Sequence, residues 1–233
     1  MDALTSTLCE NVAVVDNCPE SGTVIVVGGN AGARIAAEIF RSSGQHVLLL
    51  ETFADVNSWV VDSGPHRLTG SIEENIEFLG RKHVNYFVAT GDNDNRRSIS
   101  LKMQQLLGKK PVNCIHPTAV ISKSATLGCG NLILANAVVH TNASVHNGTI
   151  INTASVIEHD AEIRDFAQVA PGAILGGRVV ISERAFIGIG AQIIPNICVG
   201  SDSTVAAGAT VIRNVEPNSM VAGCPAVQKK LYC

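Results

Sequence analysis

From Ile115 onward an aliphatic residue returns at every sixth position: Ile121, Leu127, Ile133, Val139, Val145, Ile151, Ile157, Ile163, Val169, Leu175, Ile181, Ile187, Ile193, Val199, Val205 and Val211. All seventeen positions of the series are filled without an insertion. Neither the 3.6-residue period of a helix nor the two-residue alternation of a long strand produces such a series. Four residues after each aliphatic stands mostly Ala, as at Ala119, Ala125, Ala137, Ala143, Ala161, Ala167, Ala173, Ala185, Ala191 and Ala209. Between the two lies Gly, Asn or Asp in eleven of seventeen units: Gly130, Asn136, Asn142, Gly148, Asp160, Gly172, Gly190, Asn196, Asp202, Gly208 and Asn214. These residues tolerate a left-handed backbone. One large inward residue, one small one and one corner residue describe a short strand and a bend. Three such units make an 18-residue triangular coil. The whole series then stacks into nearly six turns of parallel β-helix, with residues 18 apart lying about 4.8 Å above one another.

Ahead of the repeat the pattern changes. Residues 23–112 alternate short apolar runs with helical stretches: TVIVV (Thr23 to Val27), a helix from Ala33 to about Ser43 stopping before Gly44, HVLLLE, and YFVAT (Tyr86 to Thr90). Ser71 and Glu74 have capping-box spacing for a further helix. This predicts a small βαβ domain with a parallel sheet. Residues 1–22, without a clear pattern, are expected to form a flexible extension. The coil domain then spans 113–233.

Composition agrees with a narrow coil. The chain has 233 residues and is 46% hydrophobic but only 4% aromatic, so small side chains must do the packing. Seventeen Lys and Arg against twenty Asp and Glu give a net charge of -3, which argues against nucleic acid as the main partner. The amino terminus has no basic, apolar signal pattern and no run is long enough for a membrane span, so a cytoplasmic protein is expected. Seven cysteines, odd in number and without CxxC spacing, predict idle thiols rather than a disulfide framework.

Two places concentrate chemistry. Gly28, Gly29, Asn30 and Gly32 lie between the first strand and its helix, where glycines let phosphate oxygens approach backbone amides. The spacing is not GxGxxG, which leaves a nucleotide-linked ligand, a nicotinamide cofactor and a purely structural turn open. Glu51 at the end of the second strand is placed to accept a ribose or base hydrogen bond, or simply to be solvated. Within the coil, Glu158-His159-Asp160 puts an imidazole immediately before a corner, where its side chain leaves the prism edge. Asp160 or Glu158 would orient it. Imidazole is the side chain that ordinarily changes charge between about pH 5 and 8. Eighteen residues on from His159 is Gly177. A bare backbone amide beside a general base is what the oxyanion of an acyl-transfer intermediate requires.

The hexad pattern resembles the left-handed β-helix of hexapeptide-repeat acyltransferases, and handedness follows from that resemblance alone. Together with VVGGNAGARIAAEIFRSSG, RLTGSIEE, FVATGDNDNRR, INTASVIEHD and APGAILGG, the chain resembles the sugar acyltransferases that include sialic acid O-acetyltransferases and the N-acetyltransferases of bacillosamine and perosamine synthesis. The resemblance implies a Rossmann-like amino-terminal domain holding a nucleotide-linked sugar, with acetyl-CoA along the coil between subunits of a homotrimer. It implies His159 as general base, Asp160 as its support and Gly177 as oxyanion donor. Sugar contacts would come from Asn152 and from the loops containing Gly28, Gly29, Asn30, Gly32, Glu51, Gly91 and Asn93. Acetyl-CoA would be bordered by Gln168, Gly176, Gly177, Ala207, Gly223 and Pro225. Gln168 and Gly32 stand where many members carry histidines.

The expected activity is therefore acetyl transfer from acetyl-CoA to the 4-amino group of a nucleotide-linked 4-amino-4,6-dideoxy sugar in glycan biosynthesis, UDP ahead of GDP or dTDP. O-acetylation of a sialic acid is the alternative. A zinc hydratase of the carbonic anhydrase type, using His140, His146 and His159 as ligands across subunits, and a non-catalytic scaffold are rivals from other classes. The acetyltransferase reading needs neither a metal nor a membrane.

Overall fold

The computed structural model describes residues 12–13, 22–29, 31–50, 67–68 and 70–229. They form two compact units divided between Cys114 and Ile115, with Val12–Ala13 counted in the second. In chain order the elements before the repeat are β1 (Val12–Ala13), β2 (Thr23–Val27), α1 (Ala31–Ser42), β3 (His46–Leu50), β4 (Arg67–Leu68), α2 (Ile76–Leu79), β5 (Val84–Val88) and α3 (Asn93–Leu107).

The first unit is built on a four-stranded sheet in the order β4-β3-β2-β5, parallel throughout. Parallel strands need crossovers, and α1 supplies the one between β2 and β3. Val24, Ile25, Val26 and Val27 are fully buried, which is why β2 reads as a continuous apolar run rather than an alternation. The helix α1 buries Ala33, Ala36, Ala37, Ile39 and Phe40 along one stripe. The capping box forms reciprocally, Glu74 N–H donating to Ser71 Oγ at 3.2 Å and Ser71 N–H to the Glu74 carboxylate at 2.6 Å. The third strand starts two residues earlier than its apolar run suggests. Sequence reading did not single out α3. Its buried face is Arg96, Ser100 and Met103, so polar residues at helical spacing hid the stripe. Its ends were legible: Asp92 accepts from Asn95 N–H at 2.8 Å and Gly108 closes the helix at φ 61°.

The second unit is a parallel β-solenoid with three faces. Two-residue strands stack 18 residues apart, as in Val138↔Val156 and Val139↔Ile157. The first face begins with Cys114–Ile115, the second with Val120–Ile121 and the third with Thr126–Leu127. β1 adds antiparallel to the third face, Val12 opposite Leu127. The rest of segment 1–21 lies outside the described residues. The aliphatic series from Ile133 to Val211 fills the interior, none of it more than 3% exposed, each side chain contributing about 1.5–3 kcal/mol of burial.

Every hexad corner from Gly130 to Gly208 is left-handed. That includes Ala154 (φ 55°), Phe166 (φ 58°), Arg178 (φ 60°) and Arg184 (φ 56°), residue types with no preference for it. Stacking on both sides imposes the conformation. Phe166 is helped by its ring, which fills the space over Gly148, where a Cβ would lie 2.4 Å from the ring edge. Asn214 departs from expectation. The final turn loses two residues, Val205 pairing with Val221 sixteen positions on, and Asn218 (φ 55°) is the left-handed residue there.

Candidate active site

Backbone amides at the second, fourth and sixth hexad positions bond to neighbouring turns, as at His140, Asp160 and Glu162, and the fifth closes the corner within its own turn, Ala161 N–H donating to Glu158 O at 3.3 Å. The third amide faces a corner and must find another acceptor. Thr141 N–H reaches His140 Nδ1 at 2.9 Å, and Thr153 N–H reaches Asn152 Oδ1 at 2.8 Å. His159 N–H meets Glu158 Oε2 at 3.4 Å. Gly177 has no such help, because the residue before it is Gly176. Among the described residues nothing accepts from the Gly177 N–H, although Gly177 is buried. A buried amide without a partner is rare and costs about 1–3 kcal/mol.

The imidazole of His159 lies where the side chain of residue 177 would begin. A Cβ at position 177 would lie 2.6 Å from both Cε1 and Nε2 of the imidazole, so only glycine allows the ring to sit there. The neighbouring glycine has a different cause. Gly176 N–H is in the ladder, donating to Ile193 O at 2.9 Å, and its missing Cβ makes room for Pro195. Backbone bonds hold the stack: Arg178 N–H donates to His159 O and Asn196 N–H to Gly177 O, each at 3.0 Å.

Asp160, left-handed at φ 59°, places Oδ2 at 2.8 Å from His159 Nδ1. With the proton on Nδ1, Nε2 is the basic nitrogen, and it is the one facing Gly177. The hydrogen bond from His159, then that from Asn142 Nδ2 to Oδ1 at 3.4 Å, hold the Asp160 carboxyl below the usual carboxylate range. Both ring and carboxylate are about half exposed. Orientation of the ring thus comes from Asp160, whereas Glu158 reaches only the backbone.

The remaining expected residues fall elsewhere. Gln168 lies on the first face between Ile150 and Phe186, half a coil from His159. Asn152 stands on the edge between the first and second faces, its Oδ1 engaged by Thr153 N–H. Ala207 is on that same edge. Gly223 and Pro225 flank the turn beside it, Thr210 N–H donating to Gly223 O at 3.0 Å and Ala226 N–H to Thr210 O at 2.8 Å. In the first unit Gly28 is buried, and a Cβ there would lie 2.4 Å from Ala89 O, so close packing of the chain already requires that glycine. Gly29 and Gly91 are exposed, and Gly32 lies in the first turn of α1. Asn93 Oδ1 accepts from Arg96 Nη2 at 2.7 Å. Asn30 and Glu51 lie outside the described residues.

Sequence reading missed Asn142 and Arg178, one turn below and above Asp160, although the same step of 18 finds them. It also missed Arg96. This guanidinium is only 2% exposed, donates to Thr90 O at 3.1 Å and Gly91 O at 3.2 Å, and is pushed down to about 10 by burial. It clamps the loop carrying Gly91 and Asn93. Within one chain His140 and His146 do not join His159. His140 accepts from Thr141 N–H, and His146 Nε2 pairs with Glu162 Oε1 at 3.4 Å. Among the described residues no group of three or more His, Cys, Asp or Glu side chains is arranged to hold a metal, and no helix is long and apolar enough to cross a membrane.

No protein-family model and no curated protein matches the chain. Solved structures do. A variant of the GDP-perosamine N-acetyltransferase from Caulobacter crescentus, in complex with CoA and GDP-perosamine, is 31% identical over 90% of this chain and 97% of that one, with a TM-score of 0.81. The acetyltransferase domain of PglB from Neisseria gonorrhoeae, in complex with acetyl coenzyme A, is 31% identical over 90% of this chain and 100% of that one, with a TM-score of 0.82. WeeI from Acinetobacter baumannii, 22% identical over 89% of this chain and 100% of that one, shares the fold with a TM-score of 0.75.

Proposed function

Because the chain belongs to the hexapeptide-repeat sugar acetyltransferases, we propose that it moves the acetyl group of acetyl-CoA to the 4-amino group of a nucleotide-linked 4-amino-4,6-dideoxy sugar. The observation that carries the reading is the buried, unaccepted amide of Gly177, the residue against whose bare Cα side the His159 ring packs. His159 Nε2 takes a proton from the amine as its nitrogen attacks the thioester carbonyl, and the Asp160 carboxylate stabilises the imidazolium that forms. The Gly177 N–H donates to the carbonyl oxygen as it becomes an oxyanion. Collapse of the tetrahedral intermediate breaks the C–S bond, and the imidazolium returns the proton to the departing CoA thiolate. A positioned base supplies about 10²–10⁴-fold, and one oxyanion donor about 10²–10³-fold.

In this reading the coil is left-handed, as in the family, and the parallel-sheet unit is a Rossmann-like domain for the nucleotide, with the 90–93 loop clamped by Arg96. Gln168 is half a coil from His159 in one chain, so the two meet only across a subunit interface. A homotrimer with acetyl-CoA between coils, bordered by Gly176, Ala207, Gly223 and Pro225, satisfies that requirement. The enzyme would act in the cytoplasm, on a UDP-linked sugar first and on GDP or dTDP forms as alternatives. The GDP-perosamine held by a 31% identical relative puts the GDP form in the first panel. The test incubates the enzyme with acetyl-CoA and UDP-, GDP- and dTDP-linked 4-amino sugars or free sialic acids, following thiol release. Turnover with an amino sugar is expected. Turnover confined to sialic acids, or none with any acceptor, overturns the proposal.

A further inference from the structure

The corner carrying Asp160 continues in both directions. Asn142, Asp160, Arg178 and Asn196 occupy the same corner of successive turns, all left-handed, at φ 56°, 59°, 60° and 65°. Asp160 is gripped by both oxygens. Oδ2 meets His159 Nδ1 at 2.8 Å and Oδ1 accepts from Asn142 Nδ2 at 3.4 Å. Asn142 is itself fixed, its N–H donating to Ser124 Oγ at 3.2 Å. Above Asp160, Arg178 Nε donates to Asn196 Oδ1 at 2.7 Å, which holds a positive charge at the next level.

We propose that Asn142 is a positioning residue for acetyl transfer: by engaging Asp160 Oδ1 it keeps Oδ2 aligned on His159 Nδ1 and Nε2 turned toward Gly177. The inference rests on His159 being the base. An exposed carboxylate held by one hydrogen bond still rotates about its last torsion. A second donor at a fixed height along the coil stops that rotation. An ionised carboxylate only accepts, so an amide NH₂ is a suitable partner and a second carboxylate is not.

Two substitutions separate this from a structural role. Asn142→Gly removes the donor and keeps the left-handed corner, which glycine adopts freely. Asn142→Asp keeps the shape but sets a carboxylate against Asp160. We expect kcat to fall about 3- to 10-fold in N142G and about 10- to 100-fold in N142D, a part of what a positioned base supplies. KM for acetyl-CoA and for the best acceptor of the panel should not change. Asn136→Gly, at a corner on another edge, should leave kcat as in wild type. Without any acceptor, the imidazole ¹⁵N spectrum should show the Nδ1–H tautomer of His159 losing population in N142G. Wild-type kcat and tautomer share in both variants, with H159A inactive, overturn the inference and leave the proposed function standing. Equal losses in both variants accompanied by a lowered Tm, or a raised KM at constant kcat, overturn it too. Full turnover by H159A overturns the functional reading itself.

Discussion

Two edges of the same coil carry polar side chains, and they use them in opposite ways. On the edge between the third and first faces, Cys129 N–H donates to Asn147 Oδ1 at 3.1 Å, and Asn147 donates from N–H and Nδ2 to Asp165 Oδ1 at 2.8 and 2.9 Å. Higher up, Ser201 Oγ donates to Glu183 Oε2 at 2.9 Å, and Arg184 grips both oxygens of Asp202. The corner amides of Cys129 and Asn147 there find side-chain acceptors one turn away. On the edge between the second and third faces the same geometry is left open at one level. Gly176-Gly177 removes the side chains that would have covered the amide, and His159 takes the space. The difference teaches that the scaffold leaves third-position amides without a ladder partner, and that the proposed chemistry falls where the chain does not cap one with a side chain.

The largest break of this comparison should be Gly177→Ala. Its Cβ would strike the imidazole, so turnover should drop by about 10²–10³-fold with little change in Tm, while Gly172→Ala, where the space is open but φ is +68°, should cost about 1–2 kcal/mol and leave turnover alone. Steady-state kinetics beside thermal melts would separate them. Equal kinetic losses would show that any corner glycine serves.

Asp160→Asn should come next, lowering kcat by about 10- to 100-fold with only a small fall in Tm, since Asn accepts the left-handed corner and what is lost is the orienting charge. The pH dependence follows from the same contacts. Asp160 sits below the usual carboxylate range, first through His159 and then through Asn142, so its contribution to stability is present above that range and is lost as pH falls through its depressed value. NMR titration of the Asp160 carboxyl should show this, and His159→Ala should move the titration upward.

On the closed edge, Asn147→Ala should cost about 1–3 kcal/mol, removing the side-chain acceptor of the Cys129 amide and the Nδ2 donor to Asp165 while the backbone N–H still reaches Asp165, and should spare kcat. A kinetic loss as large as that of G177A would erase the distinction between the edges. The smallest effect belongs to Arg184→Gly. The exposed pair with Asp202 is worth at most about 1 kcal/mol, and glycine relieves the strained φ of 56°, so urea melts should shift by no more than about 0.5 kcal/mol.

The sequence alone determined the coil, its register and the meeting of His159 with Gly177. An 18-residue repeat turns tertiary neighbours into a fixed step along the chain, so stacking becomes arithmetic. The same step reached Asn142 and Arg178, but an Asn and an Arg at corner positions carry no mark of chemistry until their atoms are seen on Asp160 and Asn196. In the parallel-sheet unit no such step exists, and β2 and α1 were legible only because their apolar patterns are local. The helix α3 was hidden by a buried arginine on its inner face. Tertiary structure alone decided that Gly28 answers to Ala89, that Gly176 answers to Pro195, and that of two adjacent glycines one amide is in the ladder and the other is free. Pattern along a chain records where side chains point. Whether a backbone amide has an acceptor depends on what the next turn brings within 3 Å.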